Sequence, residues 1–357
     1  MKKQKTYLIV ALLLTLLSIF AVLYKKGSFQ KSFDSKKLSF AFAVQNTDDI
    51  TKVFIADMFE NKVLLTKIEG GWMVDMQKPA AWYKINDLLS TLNSIQVAQP
   101  VAKAAQQSII QRLTVNAIKV EVFAKEPLLK VFGHPFFVRE RLIKTYFFGD
   151  ATQTNLGSYA LLEGMREPYI IYKPGFRGYV TPIFSADPVD WFSPQIFGTK
   201  LTQIKKASFI DFTNPTNTFF VEKSGARTFS LFDSQNNLIK DYDTILLVNM
   251  LSEFRERNYE MFLFDISKSQ RDSIINQGVF KEISVTDVDN QTTTMKLYHK
   301  VEEGALYQDD NVIEALYRHI NIDRCYATVN ENTDEIFTIQ FFHFDRQIQP
   351  LSYYLKQ

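Results

Sequence analysis

Cysteine is nearly missing from the 357 residues: Cys325 stands alone, so no disulfide can form within the chain. A lone cysteine of this kind reads as a small buried apolar side chain. Arg324 beside it is not helper enough for a reactive thiol. Histidine is scarce too, with His134, His299, His319 and His343 scattered singly. None belongs to an H-E-x-x-H or C-x-x-C set, so no zinc site is expected. There is no G-x-x-x-x-G-K-[ST] phosphate loop and no G-x-S-x-G elbow. "DVDNQ" at Asp287 starts like a calcium loop but lacks the central glycine, and Tyr298 stands where the closing glutamate belongs. It reads as a hairpin tip. No enzyme activity, cofactor or metal is expected from these residues.

A basic surface is also lacking. With Lys2, Lys3, Lys5, Lys25 and Lys26 set aside, 36 basic residues face 39 acidic ones, a net of −3. That argues against nucleic acid as a partner, because phosphate neutralisation needs a basic face.

What the chain does have is apolar and aromatic. Apolar residues make up 46%, with 31 Phe and 16 Tyr, a composition that favours a folded, sheet-rich body. Thr6–Tyr24 runs for 19 residues without a charge. As a helix it would reach about 28 Å, close to a bilayer core. Its expected lipid contacts include Tyr7, Leu12, Leu16, Phe20 and Tyr24, with the two tyrosines at the interfaces. A cleaved signal peptide is the alternative, although no Ala-x-Ala site follows and Lys25–Lys26 come at once. The expectation is a single-pass anchor in a bacterial inner membrane, touching lipid through residues 7–24, with the body in the periplasm.

Beyond the anchor (1–26) and a polar stalk (27–37), two modules are expected, 38–186 and 187–357. Val53, Ile55, Val63, Leu65, Trp72 and Val74 alternate as strands do, and Gly70–Gly71 marks a hairpin. Ile85, Leu88, Leu89, Leu92 and Ile95 form one helical stripe. The second half repeats this order. Gly71 answers Gly225, Asp87 answers Asp243, Ser108 answers Ser273, Tyr146 answers Tyr298 and Tyr159 answers Tyr326, at offsets of 154, 156, 165, 152 and 167. Pro182, Pro188 and Pro194 mark the break between the halves. The expected fold class is α+β: an N-terminal transmembrane helix, then two tandem, duplicated modules of antiparallel sheet with packed helices.

"KVLLTKIEGGWMVDM" (Lys62–Met76) followed by "YKINDLLSTLNSIQVAQPV" (Tyr83–Val101) resembles the bacterial family catalogued as domain of unknown function 4340. The second module departs from that pattern, with Arg227 or Thr228 in place of the tryptophan. The resemblance implies single-pass proteins with α+β modules outside the inner membrane, often associated with ABC-type transport and gliding systems. The family carries no established catalytic residues, so none is transferred. The implied function is a non-catalytic accessory subunit of an envelope complex for transport, secretion or gliding, with other proteins of that complex as partners. The alternative is an envelope structural or cell-wall or ligand-binding protein. Partner contact is expected at a sheet edge or an exposed aromatic, with Trp72 and Trp191 as candidates.

Overall fold

The computed structural model describes residues 34–131, 134–226, 228–301 and 320–356. They are mostly antiparallel sheet. Among them no helix is long and apolar enough to cross a membrane. The longest, Lys103–Asn116, has 14 residues, about 21 Å against the roughly 30 Å of a bilayer core. These findings correct the expectation of an α+β protein led by a transmembrane helix, and with it the placement in an inner membrane with a periplasmic body. The residues named for the anchor, Tyr7, Leu12, Leu16, Phe20 and Tyr24, lie outside the described residues.

The chain divides into a first unit ending at Phe192 and a second running from Ser193 to Gln357. The first unit holds β1 (Ile50–Ala56), β2 (Lys62–Ile68), β3 (Gly71–Val74), β4 (Lys78–Pro79), β5 (Gln96–Pro100), β6 (Ile118–Val131), β7 (His134–Ala151), β8 (Ser158–Leu162) and β9 (Tyr169–Tyr172). They form one sheet in the order β4-β3-β2-β1-β6-β7-β8-β9-β5. Its helices are α1 (Ser35–Phe42), α2 (Trp82–Ser94) and α3 (Lys103–Asn116).

In the second unit, β10 (Gln195–Phe197) precedes β11 (Ile204–Asp211), β12 (Phe219–Lys223), β13 (Phe229–Asp233) and β14 (Leu238–Ile239). Then come α4 (Thr244–Ser252), β15 (Arg257–Asn258), β16 (Met261–Phe262) and α5 (Lys268–Asn276). The chain continues through β17 (Lys281–Asp287), β18 (Thr292–Val301), β19 (Ile320–Val329) and β20 (Asn332–Gln340). The main sheet has the order β14-β13-β12-β11-β17-β18-β19-β20-β16, and β10 pairs with β15 apart from it.

Strand for strand, the two nine-stranded sheets follow one plan, and the likeness extends to register. A bulge at Thr51 separates the pairs Ile50–Ala124 and Lys52–Phe123. Its counterpart at Lys205 separates Ile204–Asp287 and Lys206–Thr286. Each unit closes on a buried aromatic in a short 3-10 turn, Trp191 or Tyr354. The Ala81 N–H donates to the Trp191 carbonyl (2.7 Å), and the Asp243 N–H donates to that of Tyr354 (2.8 Å).

Register also revises individual matches. Trp72 lies opposite Lys67, and Phe229 lies opposite Lys223. Phe229, not Thr228, therefore holds the place of Trp72, and Gly225 sits within the loop before it. Tyr146 faces Val120, while Met295 faces Ile283. Tyr146 thus corresponds to Met295. Tyr298 lies an odd number of residues further on and points to the other face of its sheet. Tyr159 and Tyr326 do stand at equivalent places: Ala160 opposes Phe148 as Ala327 opposes Leu297.

The main core of each unit fills one face of its sheet. Ile85, Leu88 and Leu92 of α2 pack onto Val53, Ile55, Val63 and Leu65. Leu247, Met250 and Leu251 of α4 share the second core with Phe209, Phe219 and Val221. On the opposite face, α3 packs Ile109 and Leu113 near Phe147 and Tyr159, and α5 packs Ile274 near Tyr298 and Ile336.

Candidate functional site

The sheet edges are poor places for a partner strand. Three of the four edge strands, β4, β14 and β16, have two residues each, and β4 ends in Pro79. The fourth, β5, lies under α1, where the Val97 N–H donates to Ser39 Oγ at 2.9 Å. Short, proline-bearing or covered edges resist strand addition. These end strands give no support to contact through an edge, and the exposed aromatics are the other place expected for a partner.

The aromatic surface is more informative. α2 begins at Trp82, directly after the Ala81 that Trp191 anchors. Side chains on a first helical turn lean back toward the N-terminus and, here, past the end of the helix. Trp82 and Tyr83 therefore project outward, 74% and 48% exposed. Their rings meet edge to face at 6.4 Å. Across from them, Phe176 and Tyr179 are exposed at 46% and 38%. A cleft of about 490 Å³ lies here, lined by Tyr83, Lys84, Phe176, Tyr179, Ile183 and Trp191 among others.

The walls of this cleft are tied down. Lys173 donates to Asp87 (2.7 Å) and to the Thr91 hydroxyl (3.0 Å), fastening the Phe176 loop to α2. Ser158 Oγ accepts from the Val180 N–H at 3.0 Å. The Ser185 hydroxyl donates to Asp190 (2.5 Å), and the Trp191 indole donates to the Ser185 carbonyl (2.9 Å). Gly178 has φ +152°, and a Cβ there would sit 3.1 Å from the Phe176 ring. The missing side chain lets that ring fold down beside the backbone. Fixed walls and exposed aromatics make a surface for contact, since Trp and Tyr supply large area at little cost in side-chain freedom.

Trp191 is 2% exposed and forms the floor of the cleft, so it supports the site without projecting from it. Trp72 is half-buried on β3 and packs against the core. Trp82 is the residue that sequence reasoning missed. Its one signal was its place three residues ahead of the apolar stripe, at a helix start.

Elsewhere, ionisable groups have structural surroundings. Cys325 is fully buried, and burial pushes its thiol far above the ordinary range. His299 stacks on Phe280 at 4.1 Å, and burial lowers its pKa, favouring the neutral ring. His343 is exposed in the 3-10 turn Phe341–Phe344. Asp287 accepts from the Asp289 and Gln291 N–H groups (2.9 and 2.8 Å) at the hairpin tip between β17 and β18. Among the described residues, no group of three His, Cys, Asp or Glu is placed to hold a metal. No family model, no curated protein and no solved structure matches the chain.

Proposed function

We propose that this protein is a non-catalytic interaction subunit whose protein partner docks on the aromatic cleft of the first unit. The observation behind this reading is the set Tyr83, Phe176 and Tyr179, exposed along a cleft with pinned walls, with the exposed Trp82 ring edge to face against Tyr83 beside it. Aromatic rings left in water at the rim of a preformed concavity favour a macromolecular contact. The resemblance to the domain of unknown function 4340 family supports the kind of assembly: an accessory role in transport, secretion or gliding machinery.

The test is quantitative co-purification of the tagged full chain from its own cells, with wild type and the double variant Trp82→Ala/Tyr83→Ala in parallel. Both residues are exposed, so the chain's abundance and melting should be unchanged. Recovery of a stoichiometric partner protein should fall at least tenfold. Equal recovery from both would overturn the assignment to this cleft.

A further inference from the structure

On the second unit, the half of the sheet not covered by α5 carries a second concavity of quite different character. β12, β11, β17 and β18 lie side by side, and their cross-strand pairs set out two rows. Phe220 opposes Ser208, which opposes Ser284. Glu222 opposes Lys206, Lys206 opposes Thr286, and Thr286 opposes Thr292. Directly opposed residues share a face, so all seven side chains look the same way. The turn Ser234–Asn236, between β13 and β14, forms a wall beside them, and the groove encloses about 610 Å³.

Hydroxyls dominate the floor. Ser208 and Ser284 are bonded at 2.5 Å, and Thr286 and Thr292 at 2.8 Å. Each hydroxyl has one donor and two acceptor sites, so every such pair keeps one donor and further acceptor capacity. Lys206 and Glu222 are exposed and opposite one another, which leaves the groove formally neutral. Phe220 gives one aromatic face at the end of a row.

The fold does not require this chemistry, and the first unit shows as much. At the matching register positions of its sheet stand Leu64, Phe54 and Glu121 in one row, and Thr66, Lys52, Phe123 and Leu142 in the other. Where the second unit has Ser208, Thr286 and Thr292, the first has Phe54, Phe123 and Leu142. The same backbone plan thus carries either apolar bulk or a hydroxyl-lined floor.

We infer that this groove binds a neutral oligosaccharide. Paired hydroxyls, amide groups of the turn and a Lys–Glu pair can donate to and accept from a ligand rich in hydroxyls. The face of Phe220 is electron-rich and suits the C–H face of a sugar ring. A nucleic acid would find no net positive charge. The volume is that of a small-ligand site. This inference concerns the second unit alone and does not depend on the protein partner proposed for the first.

Saturation-transfer NMR on the full chain tests it, with maltotetraose, cellotetraose and tetra-N-acetylchitotetraose as probes. At least one should bind saturably. Ser208→Phe imports the residue found at the matching place in the first unit and fills the groove; Lys206→Ala removes one exposed polar group. Each should weaken binding at least tenfold. Circular dichroism melts identify any variant that has lost its fold; Lys206→Ala, at an exposed position, decides if Ser208→Phe fails to fold. No saturable signal from any of the three sugars, or wild-type affinity in a folded variant, overturns the inference.

Discussion

Asp211 ends β11 with its carboxylate turned back onto the following residues. It accepts from the Thr213 N–H (3.0 Å) and hydroxyl (2.7 Å) and from the Asn214 N–H (2.9 Å), with Lys281 at 3.1 Å. Burial alone would raise its pKa. The Thr213 and Asn214 hydrogen bonds and the Lys281 charge outweigh burial and hold it at about 2. Because this folded value lies below the usual carboxylate range, the stabilisation is full above about pH 4 and is lost as pH falls through 2. At about 1.4 kcal/mol per unit, the contribution is on the order of 2 kcal/mol. Denaturant midpoints of wild type and Asp211→Asn should therefore differ at pH 6 and converge by pH 2. A difference that stays constant with pH would contradict this. Asp57 closes a similar turn at the end of β1, accepting from the Phe59 and Asn61 N–H groups. Such turns are legible, since Asp followed by polar residues bonds its own backbone. The tryptophans were less so. Three are present, and nothing in their immediate neighbours separates buried Trp191 from exposed Trp82. Burial is decided by which carbonyl anchors which helix start. Trp191→Ala should cost about 3–5 kcal/mol, and Trp82→Ala less than about 0.5 kcal/mol, both read from urea midpoints.

Helix α1 shows what an element contributes beyond its own turns. Asp34 caps it, accepting from the Lys37 N–H at 3.1 Å. Phe42 is buried, with its ring against Tyr169 at 5.8 Å. The helix also covers the edge of β5. Proline at position 39 would break the helix at a cost of about 3 kcal/mol and bare that edge. Ser39→Pro should therefore self-associate in light scattering while the wild type does not; a strictly monodisperse variant would contradict the covering role. The apolar stripe of α2 and a hairpin at Gly70–Gly71 could be read from sequence, because period and glycine each have a local cause; the turn itself lies one residue earlier, at Glu69–Gly70, and Gly71 opens β3. Gly70 sits at φ +88°. Strand partners could not be read so well. Alternation tells which face a side chain takes but not which residue stands opposite. Tyr146 and Tyr298 match in sequence, yet Met295 stands in the place of Tyr146, because β6 and β7 run for 14 and 18 residues and β17 and β18 for 7 and 10.

At the scale of the whole molecule, the two units differ in their natural probes. All three tryptophans, Trp72, Trp82 and Trp191, belong to the first unit, and the single cysteine belongs to the second. Tryptophan emission should follow unfolding of the first unit, and thiol labelling that of the second. Native protein should leave Cys325 unmodified by a thiol reagent, with labelling appearing only in denaturant; rapid native labelling would contradict its burial. The recurrence of strands and helices through both halves was visible in the sequence, since each element carries its own period. The cleft was not visible. It joins the start of α2 to a loop some ninety residues later, and the two are brought together by the anchor between Ala81 and Trp191 and by Lys173 bonding Asp87 and Thr91.

The claim that a partner protein docks on that cleft is tested most directly by site-specific photo-crosslinking in cells. A photoreactive residue at position 83 of the full chain should give one discrete protein adduct on irradiation. The adduct should disappear when Trp82→Ala is added, and it should not form from position 322, which is 85% exposed on the second unit. No adduct from position 83, or the same adduct from both positions, would contradict the account.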